Sequence, residues 1–545
     1  MNLRLILISL PLLAAACTRP DSLYCDDTTP CTDPARPFCD LTGAQPASNG
    51  VGRTCIADPN VVEQPDAGIV VVPDATVMCT ESSMCSAQLP ICVDNVCEAC
   101  EFGSAGNAEC AERDGDLGVC LADGTCGECG SSSDCNDVGA PFCEASTATC
   151  EACSEHVQCE SGACEVESGE CIPDGDIVYV DNTLGSDSAT CGAAPGAAAC
   201  EHLEGGPGGL AKVTGARDYV ILANGNYLET LSVTGLKVNI IGNGSRLQPP
   251  GFVTVPPLFL SDGADISIED LIIEGGNGLG ANGVGVSCLG ATLKLNDVIV
   301  RDNGDAGISI ENCSLRLTDS EVRGNVQEGI KLRDGSDLTI RRSVVADNGF
   351  HGLHILSSAV DIRQSRILEN VTGGLYLQNS TFVIENNWIV DNGNLGFSPG
   401  NPTGGLVIQS TPGGPLSPQD VRHNTIAFNV APGAVASAGL VCDSGAGTGI
   451  VQADSNIIIA NTRQGTSPQT SGSCSIRYSM VTGITSGVGN VSVLPTFENQ
   501  PGGDYHLASG SPGIDIGEPG SPTTIDIDGE NRPSGAGFDM GADER

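Results

Sequence analysis

Aromatic side chains are scarce in this chain: one Trp, seven Tyr and eleven Phe among 545 residues. Basic residues are scarce too, 24 Lys and Arg against 68 Asp and Glu, for a formal net charge of −44. That balance excludes nucleic acid and an anionic membrane surface as bulk electrostatic partners. It favours solubility and is compatible with divalent cations or basic partners, and its plainest meaning is a solvated acidic surface. Beyond the first 17 residues no run is apolar enough for a membrane-spanning helix. What the chain has in abundance is Gly (72) and Cys (27), and each points to a different kind of architecture.

The first residues carry one base (Arg4), an apolar run Leu5–Leu13 and the small residues Ala14, Ala15 and Ala16 before Cys17. This reads as a secretory signal. It resembles a bacterial lipoprotein signal, in which the cysteine is lipidated. The family usually places Leu three residues before the cysteine, where this chain has Ala14, and Ala14-x-Ala16 also suits an ordinary signal peptidase. Parity favours lipidation at Cys17, because its removal leaves an even number of thiols to pair in an oxidising compartment. Thr18, in place of Asp, resembles signals sorted to the outer membrane. The resemblance implies a lipoprotein of the outer membrane or cell surface of a Gram-negative bacterium.

Cys25 to Cys171 form five groups of four: Cys25/31/39/55, Cys79/85/92/97, Cys100/110/120/126, Cys129/135/143/150 and Cys153/159/164/171. Modules this small and this poor in large apolar residues cannot bury an adequate core, so disulfides must restrain them. Pairing is expected within modules, with three connectivities open for each. The CxxC pairs Cys97/Cys100, Cys126/Cys129 and Cys150/Cys153 have zinc or redox spacing. Each pair straddles a module junction, however, and the secretory context favours disulfides, so no metal site is assigned. The modules resemble short cysteine-rich repeats of secreted myxobacterial-type proteins, which implies no ligand.

From about Ala264 to Phe382 the chain repeats every 22 to 23 residues. Each repeat holds three short alternating apolar runs, such as Leu338–Ile340, Val344–Val345 and Leu353–Ile355. An Asn recurs at one phase (Asn303, Asn325, Asn348, Asn370, Asn392), and a Gly follows four residues later (Gly307, Gly329, Gly352, Gly374). Several period-2 strands within so short a period mean stacked coils of one solenoid. The Asn residues are expected to form an inward amide ladder at a turn, and the Gly residues to permit the next turn. With the strand at Asp176 and the strand pattern after Asp218, the repeats resemble right-handed parallel β-helix proteins of the pectin-lyase-like fold. The C-terminal run Ile525–Pro533 and Phe538–Glu544 resembles the ending of many secreted β-helix proteins. Its expected role is to seal the last coil, whose strand edges are otherwise unpaired.

The expected fold is therefore all-β: a right-handed parallel β-helix preceded by small disulfide-rich modules. The boundaries are a signal ending at lipobox-like Cys17 (1–17), a first module (18–56), a Pro/Val-rich linker (57–78), four tandem modules (79–175), and a β-helix with a C-terminal cap (176–545). Cys442 and Cys474 each lie 13 residues after an Asn of the series (Asn429, Asn461), which places them on neighbouring coils within disulfide reach. Cys288 and Cys313 lie about one coil apart, and Cys191 and Cys200 close a short loop.

Many proteins of the resembled fold are polysaccharide lyases or glycosidases, but their signatures are missing. Gly349-Phe350-His351-Gly352 only approaches a GHG triplet, and the head has no NTD triplet, Asp-Asp pair, vWiDH-like, RxPxxR-like or DPHE sequence. Asp526–Asn531 spaces carboxylates as calcium loops do but lacks the other loop ligands, so it reads as a polar turn and no cofactor is assigned. One outward column is a binding candidate. Two residues after the coil Gly come Ser309, Lys331, His354 and Tyr376, with Arg333 and Gln378 beside them. Tyr376 suits stacking on a sugar ring, and Lys331 and Arg333 suit pairing with uronate carboxylates. Against this stands the ordinary use of Lys, Arg and Tyr at exposed strand positions. The functional expectation is an anchored cell-surface protein whose head binds a polysaccharide or cell-surface glycan. The alternatives are a lyase or glycosidase acting on acidic polysaccharide, and a structural envelope protein.

Overall fold

The computed structural model describes residues 79–545 except 115–116, 252–254, 279–282, 395–402, 410–418, 433–436, 444–450 and 465–466, together with the backbone of the strands Tyr24–Cys25, Phe38–Cys39 and Arg53–Ile56. Cys17 and the linker 57–78 lie outside the described residues, as do the side chains of the first cysteine module. The chain divides into two units, residues 1–85 with 92–97, and residues 86–91 with 98–545.

In the first unit, Cys79 is bonded to Cys92 and Cys85 to Cys97. The second unit opens with three more modules that pair in the same order, first with third and second with fourth: Cys100–Cys120 and Cys110–Cys126, Cys129–Cys143 and Cys135–Cys150, Cys153–Cys164 and Cys159–Cys171. Their buried cores are largely the cystines themselves. This is the expected consequence of so few large apolar side chains. The sulfurs of the CxxC pairs are all consumed in these bonds, so none offers a thiolate to a metal.

From Ile177 the chain winds into a parallel β-helix, bearing out the expected fold. Each full coil has three strands. The first strands form a 10-stranded parallel sheet, from Leu231–Thr234 to Thr470–Gly472. The second and third strands run through a 21-stranded sheet. Alternate side chains point inward and stack coil upon coil. One inward ladder is Leu293, Leu315, Leu338, Val360 and Phe382, all register partners and all buried. A short turn joins second to third strands, and its left-handed position is filled by residues such as Asp297, Asp319 and Asn386, with φ of 51°, 48° and 53°. Short polar side chains tolerate that conformation best.

The asparagines form the expected inward ladder. Nδ2 of Asn303, Asn325, Asn348 and Asn370 each donates to Oδ1 of the next Asn at 2.9 Å. The ladder continues through Asn392, Asn429 and Asn461 and ends on Gln469. A second ladder, unforeseen in the sequence, runs beside it. Backbone N–H groups of Ser320, Ser343 and Ser365 donate to Ser343 Oγ, Ser365 Oγ and Asn387 Oδ1, and Asn424 and Asn456 extend it. The coil glycines need a different explanation from the one their sequence position suggests. Gly329 has no positive φ; a Cβ there would stand 2.7 Å from both Asn348 Nδ2 and Gly352 O. Close approach to the ladder, not turn formation, requires Gly at this position.

The expected disulfides between neighbouring coils are present: Cys442 is bonded to Cys474 and Cys288 to Cys313. Cys442 faces Gly472 and Cys288 faces Ile310, so each bond reaches over the bend to the second-strand side of the next coil. Cys191–Cys200 packs on Val178 and Val180 at the start of the β-helix. The C-terminal segment does not seal the last coil. The edge beyond Met480–Val481 is met by Val488 and Val491. Residues 505–542 instead lie along the flank, covering Trp388, Val390, Ala427, Ile457 and Ile459. Gln364, Asn386, His423 and Ser455, at the same turn of four successive coils, bond to Asp526 O, Ile525 O, Asp539 O and Gly541 N. The reason is apolar: third strands such as Trp388–Val390 are buried on both faces and need a cover.

Candidate functional site

The outward face of the first strands carries the column read from the sequence. Ser309, Lys331, His354 and Tyr376 are register partners on successive coils, followed by Val407. Neighbouring strands hold such partners about 4.8 Å apart. The rings of His354 and Tyr376 meet edge to face, with centroids 5.1 Å apart. Tyr376 donates its hydroxyl hydrogen to Gln409 Oε1 at 2.7 Å. Arg333 faces Glu311 across the strand pair at 3.6 Å, and Gln378 lies beside Gln409.

The strip is not the bare basic surface its sequence suggests. Glu328, buried just ahead of the first strand Ile330–Arg333, brings Oε1 to 3.2 Å from His354 Nδ1 and 3.8 Å from Lys331 Nζ. Burial pushes its carboxyl up, but the hydrogen bond from His354 and the Lys331 charge outweigh it and hold it at about 2. Glu328 is therefore ionised and neutralises part of the column, while its Oε2 makes no hydrogen bond. His351 lies beneath, its ring 5.7 Å from both His354 and Tyr376, with Nε2 3.1 Å from Thr403 Oγ1. Burial, aided by His354, pushes His351 down to about 4, so it is neutral at pH 7. Burial also raises the Tyr376 hydroxyl.

Sequence reasoning missed Glu328, His351 and Thr403. The signal was present in phase, since Glu328 and His351 each precede a coil Gly, but their inward lean depends on a bend that periodicity does not report. Beside the column a groove of about 270 Å³ is lined by Ser287, Ser309, Lys331, Arg333, Gln327 and Phe259, among others. The ensemble offers an aromatic edge, a charged carboxylate, two cations and amides. That set suits hydrogen bonding to a polyol and stacking on its ring.

The calcium-like stretch has another use. Asp526 Oδ1 accepts from the N–H of Asp528 and Glu530, and its Oδ2 from that of Glu544. Glu544 is bonded in turn to Arg532 at 2.7 Å, both side chains fully buried. These carboxylates hold the flanking segment together.

Residues 306–492 match the family described as right handed beta helix region. Residues 68–178, which include the tandem modules, match a family of unknown function (DUF8331). No curated protein matches the chain. Among solved structures it is similar to pectate lyase Pel9A, at 14% identity over 68% of this chain and 96% of that one, TM-score 0.41. It is also similar to the GH136 lacto-N-biosidase from Eubacterium ramulus (11%, 54% and 65%, TM-score 0.26) and to the PL6 family alginate lyase AlyGC (13%, 52% and 51%, TM-score 0.21). The chain is a parallel β-helix protein preceded by a cysteine-rich region.

Proposed function

We propose that the β-helix head binds glycans along the outer face of its first strands, in a secreted protein held at the cell surface through lipid on Cys17. One observation carries the binding reading: Lys331, His354 and Tyr376 stand in register beside a groove, braced from below by Glu328 and His351. Side chains placed only for solubility need no buried carboxylate to orient them. The cystine modules serve as a spacer between anchor and head.

The test is retention of the full chain on immobilised glycans, neutral and acidic, with products assayed in parallel. Retention without product is the expected result, and appearance of unsaturated or reducing ends would make the head an enzyme. The variant Lys331→Ala/His354→Ala/Tyr376→Ala should weaken retention at least tenfold; unchanged retention discards the column as the site. Labelling with a radioactive fatty acid, lost in Cys17→Ser, checks the anchor.

A further inference from the structure

Two solvent-facing cations elsewhere on the head have no polar partner of any kind. Among the described residues, Lys294 and Arg316 make neither an ion pair nor a hydrogen bond, and both are exposed. They are register partners on the second strands Thr292–Asn296 and Ser314–Thr318. Like charges directly opposite each other on neighbouring strands repel. A bound anion relieves that repulsion, and its pairing with both cations must outweigh the repulsion of a chain whose net charge is −44.

Lys294 lines a groove, and both residues line the recess that continues it. The floor of the groove is the second-strand face, with Asn239, Ser267, Lys294 and Asn296; its wall is the last cysteine module, with Glu165 to Ser168. The volume is about 620 Å³, and the recess, of about 280 Å³, runs past Arg316 and Thr318 toward Arg341 and Arg342. The wall is fixed in place. Tyr219 donates to Glu165, and His156 Nε2 sits 3.3 Å from Glu269. The other cations of the groove are occupied: Lys237 by Asp218 at 3.0 Å, Arg341 by Asp361 at 2.7 Å and Arg342 by Asp319 at 2.6 Å.

We infer that this groove is a second binding site, which takes an anionic polysaccharide with acidic groups of successive sugars on Lys294 and Arg316. The coil spacing of about 4.8 Å sets the distance between the two cations along the helix axis. Asn239, Ser267, Asn296 and Thr318 present amides and hydroxyls to the sugar hydroxyls between the charges. A nucleic acid fits poorly: of the two rings in the lining, Tyr219 is buried with its hydroxyl committed to Glu165 and His156 is turned to Glu269, so neither is free to stack on a base. The sugar nature of the ligand rests on the glycan reading above; the demand for an anion does not.

Calorimetric titration of the full chain with polygalacturonate, dextran sulfate and neutral dextran tests it. The expected result is binding of at least one acidic polymer, weakened tenfold or more and made less salt-sensitive in Lys294→Ala/Arg316→Ala, with Lys294→Arg binding as the parent does. Preference between the two polymers tells carboxylate from sulfate. Both replaced residues are exposed, and an unchanged thermal midpoint checks that the double variant is folded. Parent-like affinity in the double variant overturns the inference even where the Lys331/His354/Tyr376 variant loses binding. The opposite pattern supports this groove and removes the first-strand column as the site for acidic polymers. Failure of the parent to bind either acidic polymer also overturns the inference, and retention on neutral glycans alone leaves the column standing.

Discussion

At the scale of single residues, the instructive position is Glu328. A buried carboxylate is expected to rise in pKa, yet this one sits at about 2 because His354 and Lys331 converge on it. The depressed value fixes the sign of its contribution. The stabilisation is present above the unfolded carboxyl value of 4.5 and is lost as pH falls through about 2. Glu328→Gln should therefore lower stability by about 2 kcal/mol near neutrality, the scale of a lost charge-assisted hydrogen bond. The difference from the parent should close as pH approaches 2. Urea midpoints across pH measure it; a gap that stays constant would show that the carboxylate is not the source. His351 works in the same direction over a higher range. Held neutral with a value of about 4 against 6.5, it contributes above 6.5 and loses that contribution as pH falls through about 4. The first-strand column is thus acid-sensitive in two steps.

At the scale of the element, the coil is defined by its polar ladders as much as by its apolar ones. Asn348 donates to both Asn370 Oδ1 and Val322 O, and accepts from Asn325. Asn348→Ala leaves Asn325 Nδ2 and the Val322 carbonyl without those partners inside the solenoid, at a cost of about 3 kcal/mol. Loss of hydrogen-exchange protection confined to the strands around 320–370 would check it. Much of this was legible beforehand, because a ladder needs one residue type at one phase, and Asn303 through Asn392 supply it. The second ladder was not legible: Ser320, Ser343 and Ser365 give way to Asn387, Asn424 and Asn456, so no single residue type repeats. The roles of Gly329 and its counterparts were misread for a related reason. Sequence shows that a Cβ is absent, and only the packing shows that Asn348 and Gly352 fill its place. Equal spacing from Asn429 and Asn461, by contrast, was enough to put Cys442 and Cys474 on neighbouring coils, where they are bonded.

At the scale of the whole chain, charge and cover dominate. The segment after the last coil resembles an end cap in sequence, but the apolar demand lies on the flank, where Trp388, Val390, Ile457 and Ile459 are buried beneath Tyr505, Leu507 and Met540. A local pattern in the C-terminal segment cannot report which surface it will cover, because the cover is set by residues 50 to 150 positions earlier. Removing residues 494–545 should bare that surface, cost more than about 5 kcal/mol from several large apolar side chains, and produce strong dye binding and aggregation. Light scattering and a hydrophobic dye suffice as readouts; a soluble, dye-silent truncation would show the flank to be self-sufficient. The net charge of −44 keeps such a molecule dispersed, and it makes the pairing of nearly every described cation unsurprising. Against that background two uncompensated bases in one groove stand out.

The amide column has a further consequence for how this molecule tolerates change in length. Asn392 to Asn429 is a separation of 37 residues and Asn429 to Asn461 is 32, yet the bonds joining them are 3.0 and 2.9 Å, the same as between partners 22 apart. Extra chain enters between rungs without altering their pitch. The length of a lap is thus free to vary while the amide bonds between laps stay constant, so an insertion between rungs need not shift the alignment of the residues stacked above and below it.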